Sequence, residues 1–352
     1  MFSTFTYKYL SFRRPIRPPH PLPAGIERHF IKTPGGDIEV LHAAPASPSR
    51  GDDVTPLFFV HGGMGGAWVW AEYMQYFSAR GIPCYAVSMR GHGDSWYPSF
   101  LRMCYFTTKR MLADDVVAAV RWAQARERGK EMVLVAHSSG GGLSQSILSQ
   151  QEVKVKGLVL AGAVPAFGSL GVYMNWFRAD PWFSFRMIFH GWHPNSPLSH
   201  PALTRRIFFS NELSDAYVNA FQARTSPYES FLWPLGMSYP FADPQRVLGQ
   251  ISSWGRAPQG LMVLYGEVDV IMNKTQMEKL GQFYRTAFSA LVGKKKLEAE
   301  DREVRALADE AGQTSVGHGV RIGVVPGAGH HLQNDMTWEI GAKKLLDFYD
   351  QL

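Results

Sequence analysis

Residues 135–142 read Val-Ala-His-Ser-Ser-Gly-Gly-Gly, where the apolar run Val133-Leu134-Val135 gives way to two serines and three glycines. The run predicts a buried strand, and Gly140–Gly142 open a helix. A sharp turn between the two holds one side chain out in a strained conformation. It also crowds the neighbouring backbone, so the residues two before and two after must be small. Around Ser138 these are Ala136 and Gly140, which fit; around Ser139 they are His137 and Gly141, and the histidine does not. Ser138 is therefore the candidate nucleophile. Ser139 offers its backbone N–H at a helix start, where a developing anion is stabilised.

A serine hydroxyl is a poor nucleophile near neutral pH unless a base takes its proton and an acid orients that base. Both stand at the ends of later strand-like runs. Leu264-Tyr265-Gly266-Glu267-Val268-Asp269 places Asp269 in the loop after one run, and Val324-Val325-Pro326-Gly327-Ala328-Gly329-His330-His331 places His330 after the next. Side chains at the C-terminal edge of a parallel sheet converge on one place. Glu267 is read as solvating its loop.

These residues need a frame. Glu27 to Pro45 reads as a hairpin around Pro34-Gly35-Gly36-Asp37. Apolar runs at 56–60, 82–89, 131–136 and 155–163 then alternate with helical-length segments. Near-continuous apolar strands between helices predict an α/β fold, a doubly wound, mostly parallel sheet covered on both faces. The rhythm breaks from about 165 to 250, a stretch rich in aromatics and proline, and resumes with 261–266, 320–325 and a closing helix at 337–352. The expected organisation is a core of residues 27–164 and 251–352, an inserted helical cap at 165–250, and an N-terminal extension of 26 residues.

That extension carries Lys8, Arg13, Arg14 and Arg17, no acid, and prolines at 15, 18, 19, 21 and 23. It reads either as a short basic presequence of mitochondrial type or as an arm packed on the domain. The 352-residue chain has a net charge of +6, but its basic residues are scattered among acids. Lys294-Lys295-Lys296 is followed at once by Glu298, Glu300, Asp301 and Glu303, the mark of a solvated helix face and not of a nucleic-acid surface. Two cysteines make no disulfide framework and point to an intracellular, chiefly cytoplasmic setting. No apolar run approaches the ~20 residues of a membrane span.

The sequence resembles the α/β-hydrolase fold family over residues about 30–350. The matching pieces are Val60-His61-Gly62-Gly63-Met64-Gly65-Gly66-Ala67-Trp68, Arg90-Gly91-His92-Gly93-Asp94-Ser95, Ala136-His137-Ser138-Ser139-Gly140, Gly266-Glu267-Val268-Asp269 and Gly327-Ala328-Gly329-His330, in the family's order. Two short runs, Gly66–Trp70 and His330–Gln333, are similar to plant methyl esterases and hydroxynitrile lyases. The resemblance implies a helical cap and a catalytic triad of Ser138 as nucleophile, His330 as base and Asp269 as its orienting acid. It further implies an oxyanion hole of the N–H groups of Ser139 and Gly63, with Met64 as the alternative to Gly63, and His61 supporting that loop through its ring. Ser88 stands where relatives often carry an acid before the Arg-Gly turn.

The aromatic insert predicts an apolar pocket over the nucleophile, with Met64, Trp68, Trp176 and Trp182 in its lining. The expected substrate is a small to medium hydrophobic ester, and no cofactor is required. His190, His193 and His200 have no carboxylate or cysteine at a useful spacing, so no metal is expected. A lactone, thioester or carbon–carbon hydrolase and a ligand receptor on a hydrolase scaffold stay open beside the esterase. Nothing in the sequence fixes the oligomeric state.

Overall fold

The computed structural model describes residues 2–46, 54–298 and 319–352. In chain order the elements are β1 (Glu27–Lys32), β2 (Asp37–Ala43), β3 (Leu57–Val60), α1 (Ala71–Ser78), β4 (Cys84–Ser88), α2 (Phe100–Phe106), α3 (Lys109–Arg126), β5 (Val133–His137), α4 (Ser138–Ser149) and β6 (Gly157–Ala161). A helical insert follows: α5 (Leu170–Ala179), α6 (Phe183–Phe189), α7 (Pro201–Phe208), α8 (Asp215–Arg224), α9 (Leu232–Leu235) and α10 (Pro244–Leu248). The chain closes with β7 (Gln259–Gly266), α11 (Lys274–Gly293), β8 (Gly319–Val325) and α12 (Trp338–Tyr349).

The eight strands form one sheet in the order β1-β2-β4-β3-β5-β6-β7-β8, antiparallel between β1, β2 and β4 and parallel from β4 onward. The strands β3, β5 and β6 (LFFV, VLVAH, GLVLA) are buried throughout, as expected of strands covered on both faces. Helices cover them through one apolar stripe each. α3 buries Leu112, Val116 and Val120, and α11 buries Met277, Leu280, Tyr284, Phe288 and Leu291 at three- and four-residue spacings.

The chain runs from β3 to β4 on one side and then crosses to β5 on the other. This reversal is the switch point at which crevices open at the carboxyl ends of strands. β3 and β5 are neighbours with Val60 paired to Ala136, so the loop after His61 and the turn at Ser138 emerge side by side.

The insert sits between β6 and β7. α10 already packs on α4 and α11, so the layer flanking the sheet resumes at Pro244, a few residues before the expected boundary. The N-terminal segment is an arm across the insert: Phe5 packs edge-on against Trp182 and Phe189, Phe12 sits on Phe100 and His193, and Arg17 pairs with Asp94 at 2.7 Å. α11 runs to Gly293 with Phe288 and Leu291 buried; the run read as a solvated helix face begins just after it, and residues 299–318 lie outside the described residues. Among the described residues, no helix is long and apolar enough to cross a membrane.

Candidate active site

Ser138 opens α4 directly after β5 with φ at +53°, in the left-handed region that a non-glycine residue rarely adopts. Such strain persists where packing over-determines the backbone. Here it does: a Cβ on Gly140 would lie 2.1 Å from the His61 carbonyl oxygen, and one on Gly62 would lie 2.6 Å from the Ser138 Cβ. The strand end of β3 and the turn after β5 are packed backbone to backbone.

The Ser138 hydroxyl donates to His330 Nε2 at 2.9 Å, and His330 Nδ1–H donates to Asp269 Oδ2 at 2.8 Å. The other oxygen of Asp269 accepts the N–H groups of Ile271 at 2.9 Å and Met272 at 2.8 Å. All three groups come from strand ends, after β5, β7 and β8. His331 points elsewhere. It is buried among His137, Phe208 and Phe221, and burial pushes its pKa down to about 3. Glu267 accepts the Gly327 N–H at 2.9 Å and so fastens the loop that carries His330.

A cavity of about 230 Å³ opens over Ser138. Its floor includes Gly63, Met64, Ser139 and His330; its roof is Tyr173 and Trp176 from α5 and Phe183 and Met187 after the turn. Two expected lining residues lie elsewhere. Trp68 is turned toward α8 by the helical turn at Ala67–Trp70; its ring rests on Phe221 at 4.9 Å, with the Arg224 guanidinium 4.6 Å from its centre. Trp182 faces outward, against Phe5 and Phe185, because the inward side of α6 is filled by Met187 and the buried Arg186–Asp180 pair.

The loop after β3 is held tightly. His61 accepts the Met89 N–H on Nε2 at 3.2 Å and donates from Nδ1 to the Gly62 carbonyl at 2.6 Å, which fixes its neutral tautomer; burial also holds its pKa well below the usual value. The Gly63 N–H donates to Ser139 Oγ, and the Met64 N–H to Glu229 Oε2, both at 2.8 Å.

One family model matches residues 57–338, that of the alpha/beta hydrolase family. The chain belongs to the alpha/beta hydrolase family. The sheet of this alpha/beta hydrolase also resembles solved structures. These include an esterase from Thermogutta terrifontis (TM-score 0.59, 16% identity, covering 92% of this chain and 98% of that one). A carboxylesterase, CesB, from Bacillus subtilis gives 0.55 and 16%, covering 93% and 92%. A soluble variant of the Saccharomyces cerevisiae monoglyceride lipase gives 0.60 and 13%, covering 94% and 98%. At these identities the likeness is one of fold.

Two features of this family member had no sequence signal. The first is Glu229, a buried carboxylate from the insert that reaches the cavity wall. Besides the Met64 N–H it takes His92 Nε2 at 2.8 Å and the Ser230 N–H at 2.7 Å. His92 Nδ1 donates to the Arg90 carbonyl at 2.9 Å, so Nε2 carries a second proton when it binds the carboxylate. Burial, the largest single influence, would lower the His92 pKa; the charge and hydrogen bond of Glu229, the Arg90 carbonyl and the Asp115 charge together outweigh it and raise the pKa. The second is the replacement for an acid at Ser88. The buried Glu39 of β2 accepts the Ser88 hydroxyl at 2.6 Å and the Asp94 N–H at 3.1 Å, while Asp115 holds the Arg90 guanidinium at 2.6 and 2.8 Å. The acid that anchors this turn arrives from a neighbouring strand.

His190, His193 and His200 bind Ser196 Oγ, the Ser11 carbonyl and the Ala202 N–H respectively. On the β1–β2 hairpin, far in sequence from Ser138, Glu27, His29 and His42 hold ligand-type atoms within 4.8 Å of one another.

Proposed function

We propose that the chain is a serine hydrolase of small to medium hydrophobic carboxylic esters, acting without a cofactor. The observation that carries the reading is the continuous chain of hydrogen bonds from Ser138 through His330 to Asp269, opening into a cavity lined mainly by apolar side chains. In this reading Ser138 Oγ attacks the ester carbonyl while His330 Nε2 takes its proton. Asp269 holds the ring and stabilises the imidazolium. The tetrahedral intermediate collapses, His330 returns the proton to the leaving alcohol, and an acyl-Ser138 ester remains. Water, deprotonated by His330, then releases the acid.

The oxyanion is held by the Ser139 N–H and the Gly63 N–H. Gly63 is favoured over Met64 because the Met64 N–H is already committed to a buried carboxylate, whereas the Gly63 N–H meets a hydroxyl that can rotate away. Losing such a donor typically costs ~3 kcal/mol of transition-state stabilisation. The insert then serves as the cap, and Trp176 and Met64 as walls for the acyl or alcohol group. The esterases among the solved structures similar in fold support this choice of reaction. An intracellular setting fits the two buried free thiols, Cys84 and Cys104.

The test is turnover of p-nitrophenyl esters with acyl chains of two to twelve carbons. Ser138→Ala is expected to lose at least ~1,000-fold in kcat, the scale on which removal of a triad nucleophile is felt. Wild-type protein that is inert toward every chain length, yet reacts with a fluorophosphonate, would move the reading to a lactone, thioester or carbon–carbon bond. Inertness toward both would move it to a receptor.

A further inference from the structure

The outer face formed by the insert and the neighbouring α2 is apolar and open. Phe106 on α2 and Phe185 and Ile188 on α6 are 69%, 63% and 62% exposed, and Phe177 on α5 and Trp192 after α6 are about half exposed or more. These helices already bury their other sides, through Met103 and Cys104 on α2, Val172 on α5 and Met187 on α6, so they are apolar on both faces. Scattered exposed apolar residues are ordinary, but a contiguous set marks an interaction surface. Ile188 and Trp192 line one depression together with Tyr105; Phe185 lies one turn before Ile188 on α6, and Phe106 follows Tyr105 on α2. The depression shares Tyr173, Phe183, Met187 and Phe231 with the cavity over Ser138, so those four side chains form the wall between cavity and exterior.

The charge pattern of the same region is one-sided. Residues 2–26, 99–109 and 165–200 contain Lys8, Arg13, Arg14, Arg17, Arg102, Lys109, Arg178 and Arg186 but a single acid, Asp180, which is buried against Arg186. The arm brings its cations beside the patch, because Phe5 and Tyr7 pack on Phe189 at its edge.

We propose that this face docks on the surface of an anionic phospholipid bilayer, with the outer wall of the Ser138 cavity toward the lipid. Aromatic and aliphatic side chains enter the headgroup boundary, and the cations other than Arg17, paired with Asp94, and the buried Arg186 meet the lipid charge. A second copy of this chain would set the same cations against one another. A protein partner leaves unexplained why the patch shares a wall with the substrate cavity. Docking does not depend on the ester-hydrolase reading; joined to it, docking delivers a lipid-phase ester to Ser138 without a passage through water.

The experiment is flotation of the full chain with phosphatidylcholine vesicles with and without about one-third phosphatidylglycerol, a fraction sufficient for a negative surface potential. Wild type and Ser138→Ala are expected to float alike with the anionic vesicles, and less as salt is raised. The double variant Phe106→Ser/Phe185→Ser is expected to bind at least ~10-fold more weakly, with unchanged Tm and unchanged p-nitrophenyl butyrate hydrolysis. Both positions lie outside the cavity lining. Absence of flotation, or flotation that the double variant leaves intact, overturns the proposal. Self-association that the same substitutions abolish, without vesicle binding, overturns it in favour of a second copy. If no form hydrolyses butyrate but the flotation pattern holds, the docking stands and the ester reading fails.

Discussion

Glu229 is a positioning residue in the proposed mechanism. It touches the oxyanion loop only through the Met64 N–H, and it is itself held by His92 and Ser230. Glu229→Gln keeps the shape and removes the charge, so His92 loses the partner that keeps it protonated. The expected result is a fall in kcat of about tenfold or more, less than the loss of a whole oxyanion donor, with KM moving far less. A change confined to KM would show that Glu229 contacts substrate instead. A second residue-scale expectation concerns the buried histidines. His61 and His137 are held well below their usual pKa, and His331 is pushed down to about 3, by burial first. Their folded-state pKa values are depressed, so the stability they permit is present above the unfolded value near 6.5 and declines as pH falls toward the folded value. Each such group contributes a slope of up to about 1.4 kcal/mol per pH unit in that window. Thermal unfolding between about pH 8 and about pH 4 is expected to show a falling Tm on the acid side, and His331→Gln is expected to make that fall shallower.

At the scale of elements, the turn between β5 and α4 is fixed by contact with the loop after β3. Gly140→Ala would drive a methyl group into the His61 carbonyl at 2.1 Å, and backbone at that distance has no rotamer with which to yield. The expected cost lies at or above the upper end of the 1–3 kcal/mol typical of overpacking, about 3 kcal/mol, with activity lost in parallel. Gly249→Ala is the control, since its Cβ meets nothing nearer than 3.4 Å; chemical denaturation of the two variants separates local crowding from a general intolerance of alanine. The insert is tied to the His330 loop in the same direct way. Asp335 accepts the N–H groups of Gly329 at 2.8 Å and Ser210 at 2.7 Å, and the His331 N–H reaches the Phe208 carbonyl at 2.8 Å. The insert and the loop that carries His330 are therefore positioned together.

Over the whole molecule, the arm links insert and core. It contacts α6 through Phe5 and Tyr7, and it reaches the turn after β4 through Arg17 and the His20 N–H, both on Asp94. Removing residues 2–24 is expected to lower Tm by about 1–3 °C, the shift of one or two kcal/mol in a chain of this size, while hydrolysis of a water-soluble short ester stays within about threefold. A collapse of that activity would mean that the arm holds the cavity and not only the outer side of the insert.

The convergence of Ser138, Asp269 and His330 was legible because strand-end placement is local: small residues around a strained turn, an acid and a histidine after apolar runs, all delivered to one edge by parallel strands. The strand–helix rhythm and the insert were legible for the same reason, since burial on both faces writes itself as continuous apolar runs. The orientation of side chains around the cavity was not. Trp68 and Trp182 are as aromatic as Trp176, and only the turn at Ala67–Trp70 and the filling of the inner side of α6 decide that they face elsewhere. Glu229, Glu39 and His92 were equally silent. Glu229 lies 137 residues from His92 and Glu39 lies 49 from Ser88, and a buried charge has meaning only through partners that the tertiary fold brings to it.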